Sequence, residues 1–251
     1  MTVSAYLTNG RGILKLPTGT FQIEKLAVGI LTFNQFGALK VVEGPDLITY
    51  QALFSPRGVV DSPPNERDLF VPPDEMPVIS KLAQELELAS LSPNDVFQRV
   101  SAFFQEHFSY SLKLSQQAQP ITPLADFLLN SRTGHCEYFA TATVLLLRAA
   151  GIPARYAVGY SVDRLDKEGQ WTLVRGRDAH AWALVYLNGA WQDFDTTPSS
   201  WRQIEDQAVS PFGFLSDLWS RWMFALSEWR ERVGSLDAMK APISRQFGLQ
   251  P

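Results

Sequence analysis

The chain has 251 residues, of which 45% are hydrophobic and 19% charged, an ordinary composition for a folded soluble protein. A net charge of −4, without basic or aromatic-basic runs, gives no sign of a nucleic-acid partner. One cysteine rules out an internal disulfide framework. Three histidines lack the spacing of the common metal motifs and no glycine-rich phosphate loop is present, so we expect neither a metal nor another cofactor.

The start of the chain predicts neither export nor membrane insertion. Met1–Gly12 is polar and lacks the apolar stretch of a signal peptide. The most apolar runs, Leu26–Phe33 and Val144–Leu147, are much shorter than the ~20 residues that a membrane helix needs. We therefore expect no spanning segment in the chain as given.

The first quarter of the chain is β-prone. Residues 13–54 contain short runs of β-branched and aromatic residues that are separated by glycines, which predicts a small β-subdomain over residues 1–54. Residues 55–77 contain six of the 16 prolines and are interpreted as a stiff, extended linker. A larger domain is predicted over residues 78–205, followed by a C-terminal helix and tail over 206–251.

Helices are predicted next. Apolar spacing indicates one helix over residues 74–89, and Ser92–Pro93 is typical of the start of a second. Residues 108–112 are interpreted as a short strand and residues 122–129 as a short helix. Four further strands are predicted at residues 155–162, 170–174, 179–187 and 190–196, with a polar hairpin loop at 163–169.

Residues 211–233 are predicted to form a helix with three of the seven tryptophans. Leucines and tryptophans recur there at steps of three and four residues, so one face is apolar. This face either packs back on the domain or lies against a membrane surface, where tryptophans concentrate. The pattern alone leaves both interpretations open.

Cys136 is the first candidate for chemistry. Apolar residues from Phe139 onward recur at helical spacing until Gly151 and Pro153, so the thiol is predicted in the first turn of a helix. Unpaired N–H groups and the positive end of the helix dipole favour a thiolate there. A structural alternative is a buried, inert cysteine.

A base and an orienting acid are predicted on a downstream hairpin. Asn188–Gly189 favours a two-residue type I′ turn, which places residue 187 opposite 190 and residue 182 opposite 195. Asp195 is then the diagonal neighbour of His180 on the same face, at ~7–8 Å between backbones. Asp193 shares that face but lies one step further away. Taken one at a time, His180 is also consistent with a core histidine, and Asp195 with a residue that caps a turn.

Together these three residues predict nucleophilic catalysis. Cys136 would attack a carbonyl, His180 would move the proton, and Asp195 would hold the imidazole. The N–H of Cys136 is a natural oxyanion donor, and Tyr110 is a candidate second donor. Three further ionisable residues are given other roles. His135 is interpreted as a supporting or exposed group, and His107 and Asp178 are interpreted as structural residues.

Four motifs carry a resemblance to a known family. G-H-C-E-Y-F-A, L-R-A-A-G-I-P-A-R-Y-A-V-G-Y, D-A-H-A-W-A-L-V-Y and G-A-W-Q-D-F-D-T-T-P follow one another over residues 95–200. In order and spacing this resembles the transglutaminase-like superfamily, and within it bacterial membrane proteins of the transglutaminase-like protein A type. The resemblance implies an α+β, papain-like core with a nucleophile helix packed on an antiparallel sheet. It also implies a Cys/His/Asp triad at Cys136, His180 and Asp195.

The resemblance further implies an activity and a location. It indicates cysteine-dependent acyl transfer on glutamine side-chain or peptide amides through a thioester, with a protein or peptide substrate and, for transfer, an amine acceptor. The alternatives are a cysteine peptidase or amidohydrolase, and a non-catalytic binding module of the same fold. In the group resembled the domain is extracytoplasmic. Thr196 stands where that group usually has proline, and the oxyanion tryptophan of animal transglutaminases has no clear counterpart before Cys136.

Overall fold

The computed structural model describes residues 1–34, 36–55, 62–113, 122–162 and 174–207. These residues divide into two compact units, with the boundary between Pro63 and Pro64. Our predictions for residues 163–169 and 211–233, and for most of 170–174, lie outside the described residues. The units are described separately.

The first unit is built from antiparallel strands, as predicted, and it also contains a first strand that the sequence did not indicate. The sheets have the orders β1-β6-β3 and β2-β5-β4. Every second residue of β6 is buried, which is the pattern of a strand with one face on a core. The strands are β1 (Thr2–Tyr6), β2 (Gly12–Ile13), β3 (Thr20–Glu24), β4 (Ile30–Phe33), β5 (Leu39–Glu43) and β6 (Leu47–Phe54).

The second unit combines helices with a three-stranded antiparallel sheet of order β11-β10-β9. Its longest helices are amphipathic or buried, and the nucleophile helix α4 packs against β9 and β10. A parallel pair, β7 with β8, lies immediately before α4. The elements are α1 (Met76–Glu85), α2 (Pro93–His107), β7 (Ser109–Tyr110), α3 (Pro123–Asp126), β8 (Thr133–Gly134), α4 (Cys136–Ala149), β9 (Ala154–Tyr160), β10 (Ala179–Leu187), β11 (Ala190–Phe194) and α5 (Trp201–Gln207).

Local signals at helix ends are confirmed. The Ser92 side chain accepts from the N–H of Asp95 at the start of α2, and Thr122 caps α3 in the same way through Ala125. Gly151 has φ +77 directly after α4, a left-handed conformation that glycine adopts at little cost.

Three predicted elements are wrong in length. The helix expected over residues 74–89 ends at Glu85, because Glu87 is left-handed with φ 57 and redirects the chain into a 3-10 turn at Leu88–Ser90. The strand expected at 108–112 pairs only at Ser109–Tyr110. The helix expected over 122–129 becomes a π-helical turn at Phe127–Ser131.

Part of the predicted proline-rich linker belongs to the core of the second unit. A 3-10 turn at Glu66–Leu69 carries the buried Asp68, which forms two hydrogen bonds of 2.9 Å with the buried Arg155 of β9. Val71 is also buried in this core. The proline-rich composition predicted extended chain here, whereas the aspartate attaches this segment to the sheet.

The mixed α+β second unit therefore contains all four sequence motifs, and the β-unit precedes it along the chain. Among the described helices, none combines the length and apolarity needed to cross a bilayer.

Candidate active site

The nucleophile candidate is set at a helix start by the chain that leads into it. Gly134 pairs with Tyr110 in the parallel β8–β7 ladder, and a Cβ there would lie 3.0 Å from the ring of Phe127. His135 is the extended N-cap residue, and α4 begins at Cys136. The predicted position of the thiol in the first helical turn is confirmed, and its residue is 1% exposed.

The hairpin has the predicted register. Asn188 and Gly189 both have positive φ, 54 and 83, as a type I′ turn requires, and Leu187 faces Ala190. Asp195 is the first residue after β11 and reaches His180, with 2.7 Å between Asp195 Oδ2 and His180 Nε2. The turn and register therefore bring the acid and the imidazole into direct contact.

Asp195 is held from two further directions. Its Oδ1 accepts the backbone N–H of Thr197 at 2.9 Å. The hydroxyls of Thr196 and Thr143 on α4 lie 2.6 Å apart in a buried hydrogen bond, which ties this segment to the nucleophile helix. Burial acts to raise the pKa of Asp195, but the contact with His180 and the hydrogen bond from Thr197 outweigh it and lower the pKa, so the carboxylate is the stable form. Asp193 is engaged elsewhere, since it accepts the indole N–H of Trp182 at 2.7 Å.

The imidazole has one nitrogen left for chemistry. His180 is 7% exposed, and its Nδ1 is buried without a hydrogen-bond partner among the described residues. The backbone N–H of the next residue, Ala181, faces the sulfur of Cys136. A buried nitrogen without a partner is unfavourable for folding, and such exceptions point to function.

The charge state expected for the thiol is wrong for this arrangement. Burial raises the pKa of Cys136 to about 12, and the carboxylates of Glu137, Glu205 and Asp195 add to the rise. The backbone N–H of Ala181 acts to lower the pKa of Cys136, but it does not offset the rise. The helix start does not outweigh desolvation, so the thiol is protonated at neutral pH.

Tyr110 lies beside Cys136, in contact with a group that the sequence did not indicate. Its hydroxyl donates to Glu205 Oε1 at 2.6 Å, and its oxygen is faced by the backbone N–H of Cys136. Burial, then the neighbouring Cys136 and Glu205, raises the pKa of this phenol. A second oxyanion donor at Tyr110 would offer its phenolic proton to the substrate, whereas in this structure that proton is directed at Glu205.

Helix α5 supplies two residues that our sequence analysis missed. Trp201 stacks on His180, with ring centroids 4.3 Å apart and an interplanar angle of 12°. Glu205, one turn later, accepts from Tyr110. Neither residue belongs to a motif around the cysteine or histidine, and the only signal was a tryptophan one helical turn before a glutamate.

The other singled-out residues surround the site or lie apart from it. Burial lowers the pKa of His135 to about 4 and raises the pKa of Glu137 to about 7. His107 ends α2, with its ring 5.9 Å from that of Phe103, and Asp178 accepts the N–H of Arg175 at 2.6 Å. Within the described ranges no cluster of three or more histidine, cysteine or carboxylate side chains is arranged to hold a metal ion.

Part of this chain is similar in sequence to known proteins. Residues 80–196 match the sequence model of the Transglutaminase-like superfamily. A protein-glutamine gamma-glutamyltransferase of Pseudomonas aeruginosa is 38% identical over 133 residues, which are 52% of this chain and 20% of that protein. The uncharacterized protein YebA of Bacillus subtilis is 38% identical over 76 residues, 28% of this chain and 10% of that protein.

A solved structure extends the likeness beyond the matched segment. The periplasmic domain of TgpA from Pseudomonas aeruginosa superposes with a TM-score of 0.58 at 26% identity, covering 79% of this chain and 74% of that one. The fold is of the transglutaminase-like, papain-like α+β class. The family match thus covers residues 80–196, a little under half of this chain. The matches span a fifth or less of the length of the two curated relatives.

Proposed function

We propose that this chain is a cysteine-dependent acyltransferase that acts on glutamine side-chain or peptide amides through a thioester, with Cys136, His180 and Asp195 as its triad. One observation carries the proposal. The 2.7 Å contact with Asp195 occupies Nε2 of His180, and Nδ1 of the same ring is buried without a hydrogen-bond partner among the described residues. The next residue, Ala181, directs its backbone N–H toward the sulfur of Cys136.

The steps follow from these positions. The thiol proton of Cys136 moves to Nδ1 of His180 while the sulfur attacks the amide carbon, and Asp195 stabilises the imidazolium. The N–H of Cys136 stabilises the oxyanion. The imidazolium then protonates the leaving nitrogen as the C–N bond breaks, which leaves a thioester. A primary amine or water attacks this thioester, passes its proton to His180, and restores the thiol.

Several broader expectations remain proposals. The relative named protein-glutamine gamma-glutamyltransferase supports an amine acceptor, and the periplasmic domain of TgpA supports an extracytoplasmic location. The division into residues 1–54, 55–77, 78–205 and 206–251 is retained as a proposal, as is membrane contact through residues 211–233. The competing hydrolase differs only in that water resolves the thioester.

The test uses a glutamine-rich protein with blocked lysines, incubated with the chain and with or without a fluorescent primary amine. We expect fluorescent conjugate from the wild type and a loss of ~10³-fold or more in Cys136→Ser and His180→Ala, since triad members act as a unit. Asp195→Asn should lose ~10²-fold or more, because the imidazole is no longer held in its tautomer.

Mass spectrometry of the products and of the protein itself separates the alternatives. Conjugate indicates transfer, and glutamate or a cleaved backbone indicates hydrolysis. Glu106→Gln on the exposed surface of α2 is the control and should match the wild type. Neither product nor trapped thioester, under conditions in which the thiol is accessible to iodoacetamide, would contradict the enzymatic proposal and favour a binding module.

A further inference from the structure

Helix α5 lies after the segment that matches the family, yet it reaches the candidate triad. Its first residue, Trp201, is 7% exposed and stacks on the imidazole of His180. Its fifth residue, Glu205, faces Tyr110, His180 and Cys136. Since residues four apart lie on one face of a helix, a single face of α5 covers the site.

The contact of Glu205 with Tyr110 fixes a phenol that lies beside the candidate nucleophile. The phenolic oxygen of Tyr110 faces the backbone N–H of Cys136, the donor to which an oxyanion would bind. The phenolic proton goes to the Glu205 carboxylate at 2.6 Å. Hydrogen bonds to a charged acceptor are among the strong ones, so this contact holds the hydroxyl in place.

The Glu205 carboxylate also acts on the sulfur through space. Glu137 from α4, Asp195 after β11 and Glu205 from α5 all face Cys136, and Tyr110 adds a neutral phenol. His180 is the basic group on the facing strand. Removing one of these three carboxylates lowers the pKa of the Cys136 thiol and so favours the thiolate. Of the elements that carry them, α5 is the one whose displacement would also admit water to the site.

Helix α5 packs on the core through Trp201 and Ile204, and its other side carries polar contacts. Arg202 donates to the Ser161 hydroxyl, and Arg177 lies 3.7 Å from Asp206 with both side chains partly exposed. Exposed ion pairs of this kind contribute ~0–1 kcal/mol. A two-turn helix with one polar, partly exposed side is the kind of element that opens locally.

We propose that α5 is an autoinhibitory cover of the candidate triad, in which Trp201 on His180 and Glu205 on Tyr110 are positioning residues that hold the thiol and imidazole in a closed, unreactive arrangement. Displacement of α5 releases the Tyr110 hydroxyl from Glu205, exposes the sulfur and removes a carboxylate from beside it. The inference rests on the proposed function for the roles of Cys136 and His180. It adds that the reaction depends on an opening that substrate binding must favour.

The experiment measures the rate of Cys136 alkylation by iodoacetamide from pH 5 to 10 in the folded chain, which has no other cysteine to react. We expect slow labelling of the wild type at pH 7. Glu205→Gln, which keeps the shape and removes the charge, should label ~10-fold faster at pH 7, with its profile shifted about one pH unit lower. Trp201→Leu should also label faster, through access to the imidazole and the sulfur.

Two control variants separate charge and access from general loosening. Gln203→Ala lies on the exposed side of α5 and should leave the profile unchanged, as should Glu106→Gln on α2. Glu205→Asp restores the charge on a shorter side chain and should return the profile toward that of the wild type. Circular dichroism and thermal unfolding check that each variant is folded.

The outcomes for the cover and for the triad differ. Fast labelling of the wild type at pH 7, or an unchanged profile in Glu205→Gln, would overturn the cover and leave the triad intact. In the Glu205→Gln background, His180→Ala should abolish the low-pH labelling. If labelling persists there, the thiol is activated without His180, and the triad fails although the cover stands.

Discussion

The two units of the molecule bury different kinds of side chain. In the described part of the first unit, Thr20 is the one polar residue among those that are fully buried. The second unit buries Asp68, Glu137, Thr143, Arg155, His180 and Thr196. An apolar core is sufficient to stabilise a fold, whereas buried polar groups cost free energy unless they are paired. These buried polar groups are concentrated in the unit that contains the candidate site.

Not every buried polar group in the second unit serves the site. Asp68 and Arg155 form a doubly hydrogen-bonded pair, and the guanidinium of Arg155 also lies 3.9 Å from the centre of the Trp191 ring. This pair joins the segment before α1 to the sheet. Nδ1 of His180, in contrast, has no hydrogen-bond partner among the described residues. Asp68 and Arg155 thus bind each other within the fold, whereas His180 keeps one ring nitrogen directed to the candidate site.

The largest effect on stability is expected from Asp68→Ala. Removal of one partner leaves a buried guanidinium without its counter-charge, which costs ~3–5 kcal/mol. Amide hydrogen exchange should show the loss in β9 and β10, while β5 and β6 in the first unit keep their protection. Equal loss of protection in both units would contradict the expectation that the two units are stabilised independently.

The double variant Asp68→Leu/Arg155→Met is the control for this substitution. Since both charges are removed and apolar groups fill the space, it should be more stable than Asp68→Ala alone. A double variant that is no better would mean that shape, and not charge, explains the cost.

Glu137→Gln should have a smaller effect, of opposite sign. Burial raises the pKa of Glu137 in the folded chain to about 7, above its ordinary value of 4.5, so the folded state binds more protons between these values. Wild-type stability is therefore lost as the pH rises through this window. The variant should match the wild type below pH 4.5 and exceed it by up to ~3 kcal/mol above pH 7.

Urea unfolding from pH 4 to 8 measures this difference. The lowered pKa of the neighbouring His135, about 4, makes the stability of both proteins rise between pH 4 and 6.5, and it cancels in the comparison. A difference that does not change with pH would mean that Glu137 is not held neutral in the fold.

Tyr50→Phe in the first unit should have the smallest effect. The fully buried ring stays in place and only one hydrogen bond, 2.7 Å from its hydroxyl to the carbonyl oxygen of Lys15, is lost. We expect ~1 kcal/mol. Hydrogen exchange should show this loss in β5 and β6. A cost as large as that of Asp68→Ala would show that the first unit also depends on a buried polar contact.

Local signals allowed much of the second unit to be predicted. Ser92 and Thr122 act as helix caps and Gly151 ends α4, because each effect depends only on neighbouring residues. The contact of His180 with Asp195 followed from a two-residue turn that fixes the register. The strand Thr2–Tyr6 was missed because its outward residues are mostly exposed and its partner, β6, lies more than forty residues later.

The features that were missed depend on depth and on distant contacts. The pKa of Cys136 is decided by burial and by three carboxylates from separate elements, which its position at a helix start does not reveal. Likewise, no periodicity indicates that Trp201 meets His180 or that Glu205 meets Tyr110. Asp68 was assigned to an extended linker because proline content does not show which polar side chain has a buried partner.

The turn at Asn188–Gly189 has a consequence for how this chain tolerates change in length. Both residues adopt the mirror-image turn that links β10 and β11 without a spare residue. One inserted residue would alter the alignment of the two strands and turn the carboxylate of Asp195 toward the opposite face of the ribbon. Substitutions here would be far less damaging than a single insertion, so the hairpin is a place where the number of residues is more constrained than their identity.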